Sequence, residues 1–220
     1  MMKRESGRFR VRARGPVACF TRPEMKAERV SYEVMTPSAA RGLLEAVLWK
    51  PSIRWHVHEI AVLAPIQWTS FRRNEVGSRA SPKVRDFYVE ERRAQRNTVA
   101  LRDVDYVVTC SFALTGRAGP EENVRKFEEM FERRLERGQS FHQPYLGCRE
   151  FVAEVEPAPP VLRAIQPEVD RPLGLMFYDF DYGPNGQLSV RPLFFEARLK
   201  GGVLHVPPRD EVLRANGGTP

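Results

Sequence analysis

The chain has 220 residues, 42% of them apolar, which suffices for one large domain or for one domain with a smaller appendage and excludes a wholly disordered protein. Its formal charge of +7 is carried almost entirely by arginine, the side chain suited to bidentate phosphate contacts and to stacking on bases, so an acidic partner is expected. Cys19, Cys110 and Cys148 are too few and too scattered for a disulfide framework or a zinc site, and the absence of a signal-type h-region or a run of about 18 apolar residues predicts a cytoplasmic protein without a membrane span.

Phe9, Val11 and Ala13 alternate with Arg8, Arg10, Arg12 and Arg14, the period of a strand with one apolar and one strongly positive face. Such a face meets either separate carboxylates or a polyanion, and the polyanion is the favoured expectation. Gly15-Pro16 interrupts the pattern before Val17–Phe20, and a polar connector follows. Thr36 can then cap a helix that Pro37 opens, with Ala40, Leu43, Leu44, Val47 and Leu48 on one face and Lys50-Pro51 closing it. That helix feeds a strand starting at Ile53 and ending near Pro65 to Trp68, with His56 and His58 on one face. Two histidines without a third ligand predict no metal.

From Ser70 to Thr98 basic residues dominate, Phe71, Phe87 and Tyr88 are interleaved, and no periodicity persists, which predicts an insertion loop or short irregular hairpin. Positive charge with exposed rings suits single-stranded RNA. Leu101–Leu114 reads as a strand, with Tyr106, Val108, Cys110, Phe112 and Leu114 on one face. Gly119-Pro120 and Glu121-Glu122 open a second helix that buries Val124, Phe127, Phe131 and Leu135 and ends at Gly138. The segment 138–151 holds Phe141, His142, Gln143 and Tyr145 between Gly and Pro residues, reads as a binding loop, and leads to a strand from near Arg149. A Pro-rich linker precedes strands over Gly174–Asp181, Leu188–Leu199 and Val203–Val206, with turns at Asn185-Gly186 and Gly201-Gly202; from Pro207 the chain reads as a polar, frayed tail.

The fold class is therefore α+β: a ferredoxin-like (RRM-like) β-α-β-β-α-β body with a basic insertion and a small C-terminal antiparallel β domain. The expected organisation is a body over 1–156 with insertion 70–98, a linker over 157–171, a small antiparallel sheet over 172–207 and a tail over 208–220.

Four stretches carry a resemblance: ACFTRPEMKAERVSYEVMTPSAARGLLEAVLWKPSIRWHVHEI (18–60), RRNEV (72–76), LRDVDYV (101–107) and GQSFHQPYLGCREF (138–151). The chain resembles the subtype I-C CRISPR-associated protein of the fifth Cas family, the d or c variant, within the repeat-associated RNA-binding (RAMP) superfamily. The resemblance implies metal-independent cleavage of CRISPR repeat RNA through the 2′-hydroxyl, without a cofactor. It also implies continued binding of the crRNA 5′ handle in the type I-C complex, beside subunits of the seventh and eighth Cas families. The family pattern has an aromatic or imidazole residue before Trp-Lys-Pro and a Lys-His pair in the second helix. Here those positions are Leu48 and Lys126-Phe127, so only the lysine carries over.

Such cleavage needs the 2′-hydroxyl deprotonated, the phosphate oxygens stabilised and the leaving oxygen protonated. Lys126 is the expected electrostatic group and His142 the expected proton-transfer group, with Tyr32, His56 and His58 as the other candidates. The expected RNA-contacting set is Arg10, Arg12, Arg14, Arg22, Lys26, Tyr32, Lys50, Arg72, Arg73, Arg92, Arg96, Tyr145 and Arg149. Loss of cleavage, leaving a handle-binding structural subunit, is the alternative. A basic enzyme acting on a small anion is a weaker one, because no GxxxxGK[ST] loop is present.

Overall fold

A computed structural model describes residues 4–25, 27–77, 88–162, 164, 170–182 and 190–218. In chain order the elements are β1 (Phe9–Ala18), β2 (Arg29–Val30), α1 (Pro37–Val47), β3 (Ile53–Val62), β4 (Gln67–Val76), β5 (Arg93–Leu114), α2 (Val124–Glu136), β6 (Glu154–Pro157), β7 (Arg171–Asp181), β8 (Arg191–Lys200), β9 (Val203–His205) and α3 (Arg209–Ala215). A short 3-10 turn over Val89–Arg92 precedes β5.

The first helix starts as its sequence dictates. Thr36 is in extended conformation and its hydroxyl accepts from Ala39 N at 3.2 Å, while Pro37 fills a position whose amide has no helical acceptor. Ala40, Leu43, Leu44 and Val47 are buried as the periodicity requires. The helix stops at Val47, ahead of the expected Lys50-Pro51, because Leu48 turns to φ −143°. Leu48 is fully buried all the same.

In α2 the helix begins at Val124 rather than at Gly119-Pro120. Asn123 caps it, its Oδ1 accepting from Lys126 N at 2.9 Å, and Glu122 folds back to accept from Gly119 N at 3.0 Å. Val124, Phe127, Phe131 and Leu135 are buried, and Gly138 takes φ +61° just past the C-cap. The two helices cover an aromatic cluster in which Trp55 lies 4.6 Å from Phe131 and 5.3 Å from Phe112, with Phe9 against Phe131 at 5.1 Å. Each such pair adds about 1 kcal/mol beyond the area it buries.

The sheet runs β6-β1-β5-β3-β9-β8-β7, with every neighbouring pair antiparallel. It is one large, mainly antiparallel sheet carrying few helices. β5 is 22 residues long; its second half lies between β1 and β3, while its first half pairs with β4 and, over two residues in parallel, with β2. Gly15-Pro16 does not interrupt β1, since Gly15 pairs with Val104 and Val17 with Arg102. Opposite Pro16, Asp103 takes φ 51°. Gly15 is required by close approach: a Cβ there would stand 2.7 Å from Leu146 Cδ1 and 2.8 Å from the Val152 carbonyl.

Several sequence expectations are corrected. The segment expected as an irregular insertion contains an ordered ladder from Gln67↔Arg102 to Val76↔Arg93, and β3 ends at Val62, before that ladder begins. The strand expected from Arg149 begins at Glu154, after an isolated bridge between Tyr145 and Val152. The expected frayed tail contains α3, which buries Val212 and Leu213. Gly201 and Gly202, at φ 56° and 74°, form the expected hairpin turn. The Asn185-Gly186 turn, Lys26, and the middle of the expected insertion (Arg79, Lys83, Arg85, Asp86 and Phe87) lie outside the described residues.

Candidate nucleic-acid interface

The short connection from α1 to β3 carries Trp49, Lys50, Pro51 and Ser52, and its two ends are tied to different parts of the fold. At the helix end, the Ala46 carbonyl accepts from Phe141 N at 2.7 Å and from His142 N at 3.4 Å, and Arg134 Nη1 donates to the Val47 carbonyl at 2.8 Å. These are last-turn carbonyls that lack intrahelical donors. At the strand end, the Ser52 hydroxyl donates to Glu122, and that bond, with the Gly119 amide, holds the Glu122 carboxyl below its ordinary range; Lys126 and Lys50 act in the same sense. Trp55 Nε1 donates to the Leu48 carbonyl at 3.0 Å between the two ends.

The connection thus meets the His142 loop at one end and the Lys126 turn at the other. The two candidate catalytic groups are not in mutual contact: about 12 Å of helix rise separates Lys126 from Arg134, which bonds at the end where the loop docks. Lys126 is exposed. His142 is exposed too, with Nδ1 3.1 Å from the Gln143 carbonyl and its ring stacked 6.1 Å from Tyr145. Trp49 and Phe141, 56% and 73% exposed, stand at the end of α1. Leu48 and Phe127, at 0% and 1% exposure, are core residues.

A cleft of about 670 Å³ opens beside this connection, bounded by Arg41 and Glu45 of α1, Arg54 and His56 of β3, Arg117, and Tyr178–Asp181 of β7. Arg41 is held there by two bonds to Asp179, at 2.8 and 3.0 Å, and one to Glu45 at 2.7 Å. His56 lines the cleft, and burial holds its pKa below the ordinary imidazole value. His58 sits at a bulge, with Nε2 2.8 Å from Ser111 Oγ; burial lowers its pKa as well, and Arg8 adds to this. Arg54, Arg117 and Trp49 were missed from sequence. The exposed Trp-Lys-Pro tryptophan was the one available signal.

The arginine face of β1 is the clearest correction. Arg12 makes a bidentate pair with Asp105, at 3.0 and 2.6 Å, and reaches Glu156 at 3.1 Å; Arg14 meets Glu154 at 2.9 Å. Arg10 donates to the carbonyls of Pro159, Pro160 and Leu162. Separate carboxylates, rather than a polyanion, meet Arg12 and Arg14, because β5 and β6 flank β1 and supply acids on the same face. Tyr32 is also corrected: it is 2% exposed, its hydroxyl accepts from Phe177 N at 3.1 Å, and Arg22 lies 4.4 Å over its ring.

Of the remaining expected contacts, Lys50 is half-buried at the cleft and Arg72 is exposed on β4, 3.3 Å from Gln95. Arg73 turns inward to Thr98 at 2.5 Å and to Glu75, and Arg96 meets Glu28 at 3.6 Å. Arg92 and Arg149 are exposed, and Tyr145 is half-buried under His142. Among the described residues no group of three or more His, Cys, Asp and Glu could hold a metal ion, and no helix is long and apolar enough to cross a membrane.

Comparison with known proteins gives a consistent set of relatives. The Cas5d family profile, described as CRISPR-associated protein (Cas_Cas5), matches residues 9–207. A "CRISPR pre-crRNA endoribonuclease Cas5d" of Mannheimia succiniciproducens is 44% identical over 221 residues, covering 92% of this chain and 96% of its own. Its namesake in Thermus thermophilus is 42% identical over 215 residues, covering 91% of each. Among solved structures, a "CRISPR-associated Protein" superposes with a TM-score of 0.73 at 24% identity, over 96% of this chain and 97% of its own. A chain of a "CRISPR RNA-guided surveillance complex" gives 0.52 at 15% identity, over 93% and 95%.

Proposed function

The chain belongs to the Cas5 family of CRISPR-associated proteins, and from that membership we infer that it is a pre-crRNA endoribonuclease that processes and binds CRISPR RNA. Cleavage proceeds through the 2′-hydroxyl without a metal. The product stays bound by its 5′ handle in a type I-C interference complex in the cytoplasm, beside subunits of the seventh and eighth Cas families. The observation that carries the site assignment is the α1–β3 connection, bordered by Lys126 through Glu122 and Ser52, and by the His142 loop through the Ala46 carbonyl.

Lys126 supplies positive charge to the nonbridging oxygens of the scissile phosphate. His142 exchanges the proton with the 2′-hydroxyl or the 5′-oxygen at that same phosphate, so the exposed Lys126 and His142 side chains must both reach toward it across the α1–β3 connection. Trp49 and Phe141 stack on bases that flank the cut. Lys50, Arg72, Arg92, Tyr145 and Arg149 remain the proposed RNA contacts, with Arg22, Arg73 and Arg96 at their margin. Arg10, Arg12 and Arg14, each already engaged by an internal partner, rank last among the proposed contacts, and Tyr32, 2% exposed, is left out.

We read the body over 1–156 as ferredoxin-like; the order β6-β1-β5-β3 with α1 and α2 as its crossovers supports this. The segments 157–171 and 172–207 stay proposed as linker and small β unit, and 208–220 as a C-terminal segment carrying α3.

The burial of Leu48 and Phe127, where the family pattern places proton-transfer groups, favours a second reading: a handle-binding subunit without cleavage. Incubating labelled repeat RNA in EDTA with wild type, Lys126→Ala and His142→Ala decides between them. Cleavage by wild type that either variant loses while still binding RNA supports the nuclease site. Salt-sensitive binding with no product at high protein excess supports the second reading.

A further inference from the structure

Two cysteines far apart in sequence meet behind the His142 loop. Cys19 follows β1 and is fully buried, its N–H donating to the Leu146 carbonyl at 3.1 Å. Cys148 is half-buried, and its thiol donates to the Cys19 carbonyl at 3.5 Å. One hydroxyl, Thr21 Oγ1, lies 3.5 Å from Cys19 Sγ and 3.8 Å from Cys148 Sγ, so both sulfurs gather around a single atom. Gly147 presses the loop onto this spot: at φ +83°, a Cβ there would overlap the Cys19 carbonyl oxygen at 2.1 Å. Arg29 Nη1 stands 3.5 Å from Cys148 Sγ.

We propose that Cys148 is a hydroperoxide-reactive thiolate and that Cys19 resolves it, forming a reversible Cys19–Cys148 disulfide. The chemistry balances with a hydroperoxide as oxidant. The Cys148 thiolate attacks one peroxide oxygen, the O–O bond breaks, and the departing oxygen takes a proton to leave as water or an alcohol. Cys148 is then a sulfenic acid. The Cys19 sulfur gives up its proton and attacks the Cys148 sulfur; the S–O bond breaks, the S–S bond forms and hydroxide leaves as water. The two sulfurs together lose the two electrons that reduce the peroxide.

The surroundings favour that division of labour. A hydrogen bond from the Cys19 thiol lowers the Cys148 pKa, with Thr21 and Arg29 adding to it against burial and the Glu150 carboxylate. The same bond and burial raise that of Cys19. The charged groups around the pair are Arg29 of β2, Glu150 of the loop, and Glu75 of β4, which lies 3.8 Å from Arg29. Cys110, fully buried with its pKa raised by burial, is an internal control. The disulfide fastens the loop over 138–151 to the end of β1, whether or not that loop acts on RNA.

The test uses the purified full chain, reduced, freed of reductant and treated with hydrogen peroxide, then blocked with N-ethylmaleimide and mapped by peptide mass spectrometry. The expected result is one Cys19–Cys148 disulfide, reversed by dithiothreitol, with Cys110 blocked only after denaturation. Cys19→Ser is expected to accumulate a Cys148 sulfenic acid that dimedone traps. In the native protein Cys148 reacts with iodoacetamide at least ~10-fold faster than Cys110, with a pH midpoint below the ordinary thiol value of about 8.5. A native protein whose Cys148 stays fully reduced under peroxide, or alkylates no faster than Cys110, overturns the proposal. Because these readings come from the wild-type chain, a misfolded variant does not decide the outcome.

Discussion

Trp55 Nε1 donates to the Leu48 carbonyl across 3.0 Å inside the core, so the first strand residues after α1 fix the carbonyl on which α1 ends. The bond fastens the helix end of the connection bearing Trp49 and Lys50 to the strand that follows it. Trp55→Phe leaves that carbonyl buried without its partner and lowers stability by about 1–3 kcal/mol. Urea unfolding measures the loss. Repeat cleavage is expected to fall further than Phe141→Ala alone reduces it, because the whole connection shifts.

Arg12 and Asp105 form an internal ion pair on β1 and β5. Arg12→Ala is expected to cost about 1 kcal/mol of stability, while the slope of log affinity against log salt for repeat RNA stays at its wild-type value. A double-mutant cycle with Asp105→Ala should return a favourable coupling. A flattened salt slope in Arg12→Ala would return this arginine to the RNA surface.

His56 and His58 have pKa values below the ordinary imidazole value, and burial is the first cause for both. The unfolded chain therefore binds more protons than the folded one once pH drops toward 6.5, and stability falls as pH is lowered through the folded values. Glu5, Arg8, Arg54, Glu59 and Asp210 tune the two sites without reversing that sign. Between pH 8 and pH 5 the unfolding free energy of wild type should decline more steeply than that of His56→Gln/His58→Gln. Parallel declines would remove these histidines from the account.

Arg72 and Arg149 are exposed cations on β4 and on the His142 loop. If each neutralises one phosphate, each alanine substitution lowers the magnitude of the salt slope by about 0.7 for single-stranded RNA. Filter binding between low and moderate salt reads this directly. An unchanged slope in the double variant removes both from the interface.

Asp103 stands in the left-handed region at the point where the β4–β5 ladder gives way to the body of the sheet. Asp103→Gly is expected to be neutral or mildly stabilising, and Asp103→Val to cost about 1–2 kcal/mol, because a β-branched residue resists positive φ. Thermal unfolding of the two variants separates local backbone strain from loss of the carboxylate, which both share.

The helices were legible because their signals are local. Thr36-Pro37 marks a start, and Val124, Phe127, Phe131 and Leu135 repeat at helical spacing, with Gly138 marking a stop. The ladder of β4 was not legible: its half-buried positions, Gln67, Thr69, Arg73 and Glu75, do alternate with exposed ones but are all polar, so no apolar alternation marks the strand. α3 was missed for a similar reason, since its seven residues bury only Val212 and Leu213. The acids that neutralise Arg12 and Arg14 lie on β5 and β6, more than ninety residues away, and strand register alone brings them alongside. The same holds for Cys19 and Cys148. At the candidate site, sequence pointed to Lys126 and His142, whereas the exposed Trp49 between them became visible only once α1 was seen to end early.

The single strand β5, about 70 Å long if fully extended, belongs both to the sheet and to the β4–β5 ladder that projects from it. Homologues are therefore not free to lengthen that ladder residue by residue. One residue added to β4 alone would turn every later side chain to the opposite face, carrying Arg73 away from Thr98. Tolerated length changes are expected to come as matched additions to both strands, and to keep Asp103 as the fixed point from which the register is counted.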